Sequence, residues 1–308
     1  MGRPLVIGSR GSKLGLWQAE QARGRLRLLN PALEISIEII KTTGDVKSEP
    51  LSVIGGKGVF TKELEDALLD QRIDIAVHSL KDLPTIQPDS LSITAICERE
   101  DARDALVLRP DLTIAGSSLL HLPQGAVVGT SSQRRLAQLK ALRGDVVVKD
   151  LRGNVDTRIR KLDEGHYDAV ILASAGLVRL GLQDRITARI STEEILPAVG
   201  QGAIAIETRA DDDFAVEATG KLDHRETRLA CLAERAFLRA LGGGCQLPIA
   251  GHAIVDDDRL KLDGVVAKPD GSEILRASLT GTADDADKVA STLAAELIAR
   301  GAAGLLNG

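Results

Sequence analysis

The chain has 308 residues, 44% of them hydrophobic, and a formal net charge of −5. That length divides into two or three domains with large cores, and the negative balance disfavours a polyanion such as DNA as partner. One Trp, one Tyr and three Phe are too few for base-stacking platforms, no apolar run reaches membrane-span length, and the first residues lack a signal-peptide layout, so a cytoplasmic protein is expected. Cys97, Cys231 and Cys245 are an odd number without metal-ligand spacing, and the five histidines have no partner at i+3 or i+4. Neither a disulfide framework nor a metal site is expected.

In chain order, Leu5–Gly8 reads as a short strand and Lys13–Leu29 as a helix capped by Ser12, with Arg10 beside the cap completing a seat for an anion. Glu34–Lys41 is a strand by alternation and β-branching. Gly55, Gly56, Lys57 and Gly58 precede a helix that places Phe60, Leu64, Ala67 and Leu68 on one face. The strand Ile73–Val77 runs into His78, Ser79, Leu80, Lys81 and Asp82. Ligands collect at the carboxyl ends of strands in open α/β sheets, which puts Lys81 and Asp82 where chemistry is done. The alternative is an ordinary surface pair, worth almost nothing to stability.

The rhythm resumes with strands Ala105–Leu108 and Ala126–Thr130, after which Ser131, Ser132, Gln133, Arg134 and Arg135 open a helix. Serine hydroxyls, unpaired helix N–H groups and two forked guanidiniums suit a carboxylate. Strand Val146–Val148 leads to Arg152, Gly153 and Asn154 and a helix carrying Arg158. Strand Asp168–Ala173 leads to a helix from Ala175 with Arg179 near its first turn. Arginines at several strand-to-helix junctions of one sheet converge, although helix capping remains the alternative for Arg158.

Pro197–Gly202 is a hinge-like connector into strand Ala203–Glu207. A helix His224–Leu241, strand-like runs Ile249–Val255, Leu260–Ala267 and Ile274–Leu279, and a helix Ala283–Arg300 then describe an antiparallel α+β unit. No internal repeat is legible. The helix before the first of these runs ends in Gly242, Gly243 and Gly244, which leave Cys245 on a loop that another group can approach. A small buried hydrophobe is the alternative for that thiol. The residues thus describe a three-part α/β protein with an arginine-rich anion site, a Lys–Asp pair and a loop thiol, and they identify no substrate.

Ser9-Arg10, Gly55–Phe60, His78–Asp82, Gly129–Arg135, Leu151–Arg158, Ala198–Ala203 and Gly243–Pro248, in this order, closely resemble the porphobilinogen deaminase (hydroxymethylbilane synthase) family over essentially the whole chain. The resemblance implies two lobes like those of periplasmic anion-binding proteins, each a mixed sheet flanked by helices, plus a C-terminal α+β domain with a three-stranded antiparallel sheet. Their expected bounds are 1–101 with 200–218, then 102–199, then 219–308. It implies Cys245 as the thioether attachment site of a dipyrromethane cofactor and Asp82, with its neighbour Lys81, as the catalytic group. Lys81, Asp82, Ser131, Ser132, Arg134, Arg135, Arg152 and Gly153 match cofactor-binding positions. Arg10, Ser12, Arg152, Arg158, Arg179 and Gln201 match substrate-binding positions, and Lys57 and Phe60 fall in the family's mobile loop over the active site.

The implied activity belongs to tetrapyrrole biosynthesis. Four porphobilinogen molecules each lose ammonia to give an electrophilic azafulvene and are joined head to tail, and hydrolysis releases hydroxymethylbilane. A carboxylate suits positive charge developing on pyrrole nitrogens, and arginines suit the two carboxylates of each ring. Hinged lobes would give the growing chain room. Gln133 and the pair Lys149-Asp150 depart from residues frequent in the family. Two other readings compete. One is a non-enzymatic two-lobed anion-binding protein, which has no use for Asp82 or a loop thiol. The other is a cysteine-nucleophile hydrolase, for which neither His224 nor His252 has a recognisable catalytic setting. A monomer without nucleic-acid or membrane partners is expected.

Overall fold

The computed structural model describes residues 3–43, 58–244 and 247–306. They form two compact units, 1–100 with 203–228 and 101–202 with 229–308. In the first, β1 (Leu5–Arg10), β2 (Ile35–Ile40), β3 (Ile75–Ser79), β4 (Leu91–Ile96) and β10 (Ile204–Arg209) make one mixed sheet in the order β2-β1-β3-β10-β4. β1 is parallel to β2 and β3, whereas β10 runs antiparallel to β3 and β4. Alternation along the strands sends Leu5, Ile7, Val77 and Ile206 into a core shared with Ala19, Ala22 and Leu26 of α1 (Lys13–Leu29). Ile73 and Ala76 pack against Leu64 and Leu68 of α2 (Lys62–Leu69). A further helix, α6 (Asp213–Gly220), follows β10.

In the second unit β5 (Asp104–Leu108), β6 (Val127–Gly129), β7 (Val147–Lys149), β8 (Ala169–Ala173) and β9 (Ala188–Arg189) form a mixed sheet in the order β7-β6-β8-β5-β9. Helices α3 (Gln133–Leu142), α4 (Val155–Asp163) and α5 (Ser174–Arg179) each follow a strand. A separate antiparallel sheet, β11 (Ile249–Asp256), β12 (Arg259–Ala267) and β13 (Ile274–Thr282), packs with α7 (Arg225–Ala240) and α8 (Ala286–Ala299) around Phe237, and α9 (Ala302–Leu306) closes that core. Gly264 is required here, because a Cβ at that position would stand 2.5 Å from the Phe237 ring. Phe237 is fully buried, and truncating a side chain of that kind costs about 3–5 kcal/mol.

The two five-stranded sheets repeat one plan, which the sequence did not reveal. Asp74, just before β3, accepts from Val6 N at 2.8 Å and donates its own N–H to Val6 O. Asp168, just before β8, does the same with Val127 at 2.8 Å. Leu80 N donates to Ala203 O in one unit and Ser174 N to Arg103 O in the other. These bonds align Asp74 with Asp168, Leu80 with Ser174, and Ile204 with Asp104.

Candidate active site

In the first unit β3 ends at Ser79 and Leu80–Asp82 form one 3-10 turn. Buried Leu80 and Leu83 pin the turn on either side, and Leu83 N donates back to Leu80 O at 3.1 Å. The turn therefore leaves Lys81 and Asp82 half-buried. Asp82 has no hydrogen bond or ion pair among the described residues, and Lys81, which has contacts of its own, does not pair with it. The surface-pair reading has no support here. Ser79 accepts from Gln18 Nε2 of α1 at 2.9 Å.

Arg10 closes β1, and Ser12 Oγ caps α1 by accepting from Gly15 N at 3.1 Å. The Arg10 guanidinium lies 4.3 Å from the centroid of the Phe60 ring. Phe60 corrects the expectation of a helical face. It sits in the turn before α2, because the helix starts only at Lys62 after Thr61 and Lys62 N–H groups fold back onto Gly58 O. Lys57, with Gly55 and Gly56, lies outside the described residues.

Under the turn, His78 Nε2 is 3.1 Å from Glu207 Oε2, both side chains being buried. Burial pushes the Glu65 carboxyl of α2 above its ordinary value, and the Glu207 charge adds to the rise. Sequence reading missed Glu65 and Glu207, which lie on other elements than His78.

In the second unit, Arg134 and Arg135 occupy the first turn of α3 and are both buried. Ser132 Oγ caps that helix and Ser131 Oγ donates to Leu151 O at 2.9 Å, so both hydroxyls are engaged internally. The arginines converge on Asp104, the first residue of β5, which is 0% exposed. Arg134 Nη1 donates to Asp104 Oδ2 at 2.8 Å and to Leu196 O at 2.7 Å. Arg135 Nη2 donates to Asp104 Oδ1 at 2.7 Å and its Nη1 to Ile171 O at 2.9 Å. Gln201 Nε2 joins them, donating to Asp104 Oδ1 at 2.8 Å and Ala102 O at 2.7 Å.

Burial alone would raise the Asp104 carboxyl, but the Arg134 and Arg135 charges and hydrogen bonds hold it well below the usual carboxylate range. Two guanidiniums and one carboxylate leave one positive charge in excess. The Nε–H groups of Arg134 and Arg135 are buried without a hydrogen-bond partner among the described residues. Asp104 was not singled out in the sequence, because its partners lie some thirty residues or more along the chain.

Arg152, Gly153 and Arg158 form a separate group. Arg152 Nε donates to Asp150 at 2.7 Å, and Arg158 Nε donates to Gly153 O at 2.7 Å. Gly153 has φ +111° and a Cβ there would meet Thr157 at 2.7 Å, so only glycine fits. Arg179 corrects its expected place, since it is the last residue of α5 rather than near the first turn; its Nη2 donates to Gly202 O at 2.6 Å. Cys245 and Gln246 lie outside the described residues. Just before them α7 is stopped by Gly242 at φ +66°, with Gly243 N donating to Leu238 O at 3.0 Å. The other two cysteines, Cys97 and Cys231, are buried. No helix among the described residues is long and apolar enough to cross a membrane.

Two family models match the chain. The "Porphobilinogen deaminase, dipyromethane cofactor binding domain" covers residues 5–217, and the "Porphobilinogen deaminase, C-terminal domain" covers 228–299. A porphobilinogen deaminase of Pelotomaculum thermopropionicum is 50% identical over 307 residues, spanning 99% of this chain and 97% of that relative. Among solved structures, the second substrate-binding domain of an amino acid ABC transporter from Streptococcus pneumoniae is 14% identical with a TM-score of 0.45, covering 78% of this chain and 95% of that one. The LysR family regulator CbnR is 11% identical with a TM-score of 0.47, covering 71% and 68%. Those two likenesses are too loose to bring a ligand or a function to this chain. The end-to-end identity and the two adjoining models are decisive, and the chain belongs to the porphobilinogen deaminase family, transferases of tetrapyrrole biosynthesis that use a dipyrromethane cofactor.

Proposed function

We propose that Asp82 is the catalytic carboxylate with which this chain condenses porphobilinogen into hydroxymethylbilane. The observation that carries the assignment is the lone, half-buried carboxylate on the turn after β3, within a chain 50% identical to a porphobilinogen deaminase. Without a counter-charge among the described residues, Asp82 Oδ atoms can accept pyrrole N–H groups, and their negative charge is stabilising only as positive charge develops on the ring during loss of ammonia. The same carboxyl governs delivery of a proton to the departing amine. Lys81 accompanies Asp82 in the catalytic and cofactor-binding role, and Arg10, with Ser12 at the α1 cap, holds substrate carboxylates in the first unit.

The second unit's residues fit a dipyrromethane, whose rings bear several carboxylates. Arg134 and Arg135 have buried Nε–H groups without partners among the described residues and an excess positive charge, the donor set such a group requires. When bound, the cofactor supplies a free pyrrole α-carbon as the point of chain growth. Arg134, Arg135, Arg152, Ser131, Ser132 and the Gly153 backbone are assigned to it, and Arg158, Arg179 and Gln201 to incoming substrate. Cys245 is assigned as the attachment thiol, which the burial of Cys97 and Cys231 supports. The chain is read as a cytoplasmic monomer with three domains.

Intact-mass measurement tests this reading. The parent chain is expected to carry two covalent pyrrole units. Cys245→Ser is expected to carry none while remaining folded, because a hydroxyl is far less nucleophilic than a thiolate. Cys97→Ser and Cys231→Ser are expected to load as the parent does. An adduct mapped to Cys97 or Cys231 would overturn the assignment.

A further inference from the structure

Arg134 uses only Nη1 for its two bonds to Asp104 and Leu196. Its Nε–H is buried and has no partner among the described residues, and neither does Nη2. Nε and Nη2 form the side-on edge of a guanidinium, the edge that takes a carboxylate with two parallel hydrogen bonds. Arg135 differs, because Asp104 already occupies its Nη2 and Ile171 O its Nη1. The Asp104 carboxylate is thus shared between two guanidiniums, one oxygen to each. Gln201 holds the oxygen facing Arg135 and ties it to Ala102 O in the segment leading into β5. Gln138 completes the frame, accepting from Leu196 N at 2.8 Å and donating to Leu196 O at 3.1 Å, which fixes the carbonyl that Arg134 also uses.

We propose that Asp104 is a positioning residue for cofactor binding. It turns Arg134 so that its side-on edge stays open, it neutralises one of two buried positive charges, and it leaves the cluster ready for one ligand carboxylate. The proposal rests on the reading that Arg134 and Arg135 hold cofactor carboxylates. Charge arithmetic sets its limits. A cluster of +1 accepts a single carboxylate. Removing Asp104 gives +2 and two guanidiniums with nothing between them, whereas a second internal carboxylate gives zero and competes with the ligand.

The test uses the full chain produced with its cofactor, and reads the fraction of folded molecules that carry the two-pyrrole mass increment, with circular dichroism and thermal melting alongside. Asp104→Asn keeps the volume but removes the charge and replaces one of the two oxygens, each of which serves one arginine, with an NH2 donor, and is expected to lower the loaded fraction at least tenfold. Asp104→Glu retains the charge and is expected to recover part of it. Gln201→Glu brings the cluster to zero while leaving Asp104 in place, and is likewise expected to lower loading. It decides the matter if Asp104→Asn does not fold. A purely structural role predicts lower melting temperatures with the folded fraction fully loaded in these variants, and that result overturns the proposal. Arg134→Leu separates the two levels of the argument. If it too loads as the parent does, the carboxylate-holding reading falls. If it fails to load while folded Asp104→Asn loads normally, only the positioning role falls.

Discussion

The two five-stranded sheets place their aspartates on opposite sides of the same junction. After β3, Asp82 stands on the turn while Ile204, paired with Ser79, opens β10; after β8, Gly176 occupies the position aligned with Asp82 while Asp104, paired with Ala173, opens β5 in the place of Ile204. One unit thus holds its carboxylate half-buried on the turn, without a partner among the described residues. The other buries its carboxylate and surrounds it with two guanidiniums and an amide. An unpaired carboxylate can change its interactions as charge develops on a substrate. A paired one has already spent that capacity on holding its neighbours.

The largest expected effect breaks the comparison on the first side. Asp82→Asn keeps shape and hydrogen bonding but loses the charge, so single-turnover ammonia release in cofactor-loaded protein is expected to fall by about 10²- to 10⁴-fold. Asp82→Glu should lose less, and Lys81→Gln should not reproduce the Asn defect. An Asn variant within a few-fold of the parent would remove Asp82 from the mechanism. On the second side the expected loss is one of stability. Arg134→Leu leaves Asp104 paired with Arg135 and Gln201 but takes the donor from its other oxygen, and should cost about 1–3 kcal/mol in denaturant unfolding, the range for an unmade buried hydrogen bond. A change below about 1 kcal/mol would show that solvent reaches Asp104.

A smaller effect concerns pH. Asp104 is held below the usual carboxylate range, so the stability it contributes is present above its unfolded value and is lost only in strong acid. Glu65 has the opposite sign. Its folded value is raised above the ordinary 4.5, so its contribution is complete below that value and is lost as pH rises through the folded one. Glu65→Gln is therefore expected to raise the melting temperature at pH 7 by a few degrees and to leave it nearly unchanged at pH 4. An equal effect at both pH values would contradict the burial of a charged Glu65.

Much of this was legible in the residues. The bounds of α1 followed from the Ser12 cap and the helix pattern from Lys13 to Leu29, and three antiparallel runs appeared where β11, β12 and β13 stand. Local signals failed where tertiary pairing decides. β4 and β9 are edge strands whose backbone partners lie far away in sequence, and α6 draws on poor helix formers such as Thr219 and Gly220. The arginine-rich loops were visible as charge. That a single aspartate at the start of β5 would gather Arg134, Arg135 and Gln201 was not visible, because an ion pair leaves no periodic trace in a chain.

The place of β10 has a consequence for how the molecule is made. Every strand of the second unit's five-stranded sheet lies within residues 104–189, so that sheet can pair as soon as this stretch has been synthesised. In the first unit β4 ends at Ile96, yet its one neighbour among the described strands begins at Ile204. Until β10 arrives, β3 has one open edge and β4 has no strand to pair with. Vectorial synthesis would ordinarily favour the N-terminal unit, but here the N-terminal sheet closes after the five-stranded sheet that follows it. During that interval the unpaired edges of β3 and β4 are the part of the nascent chain most in need of protection from aggregation.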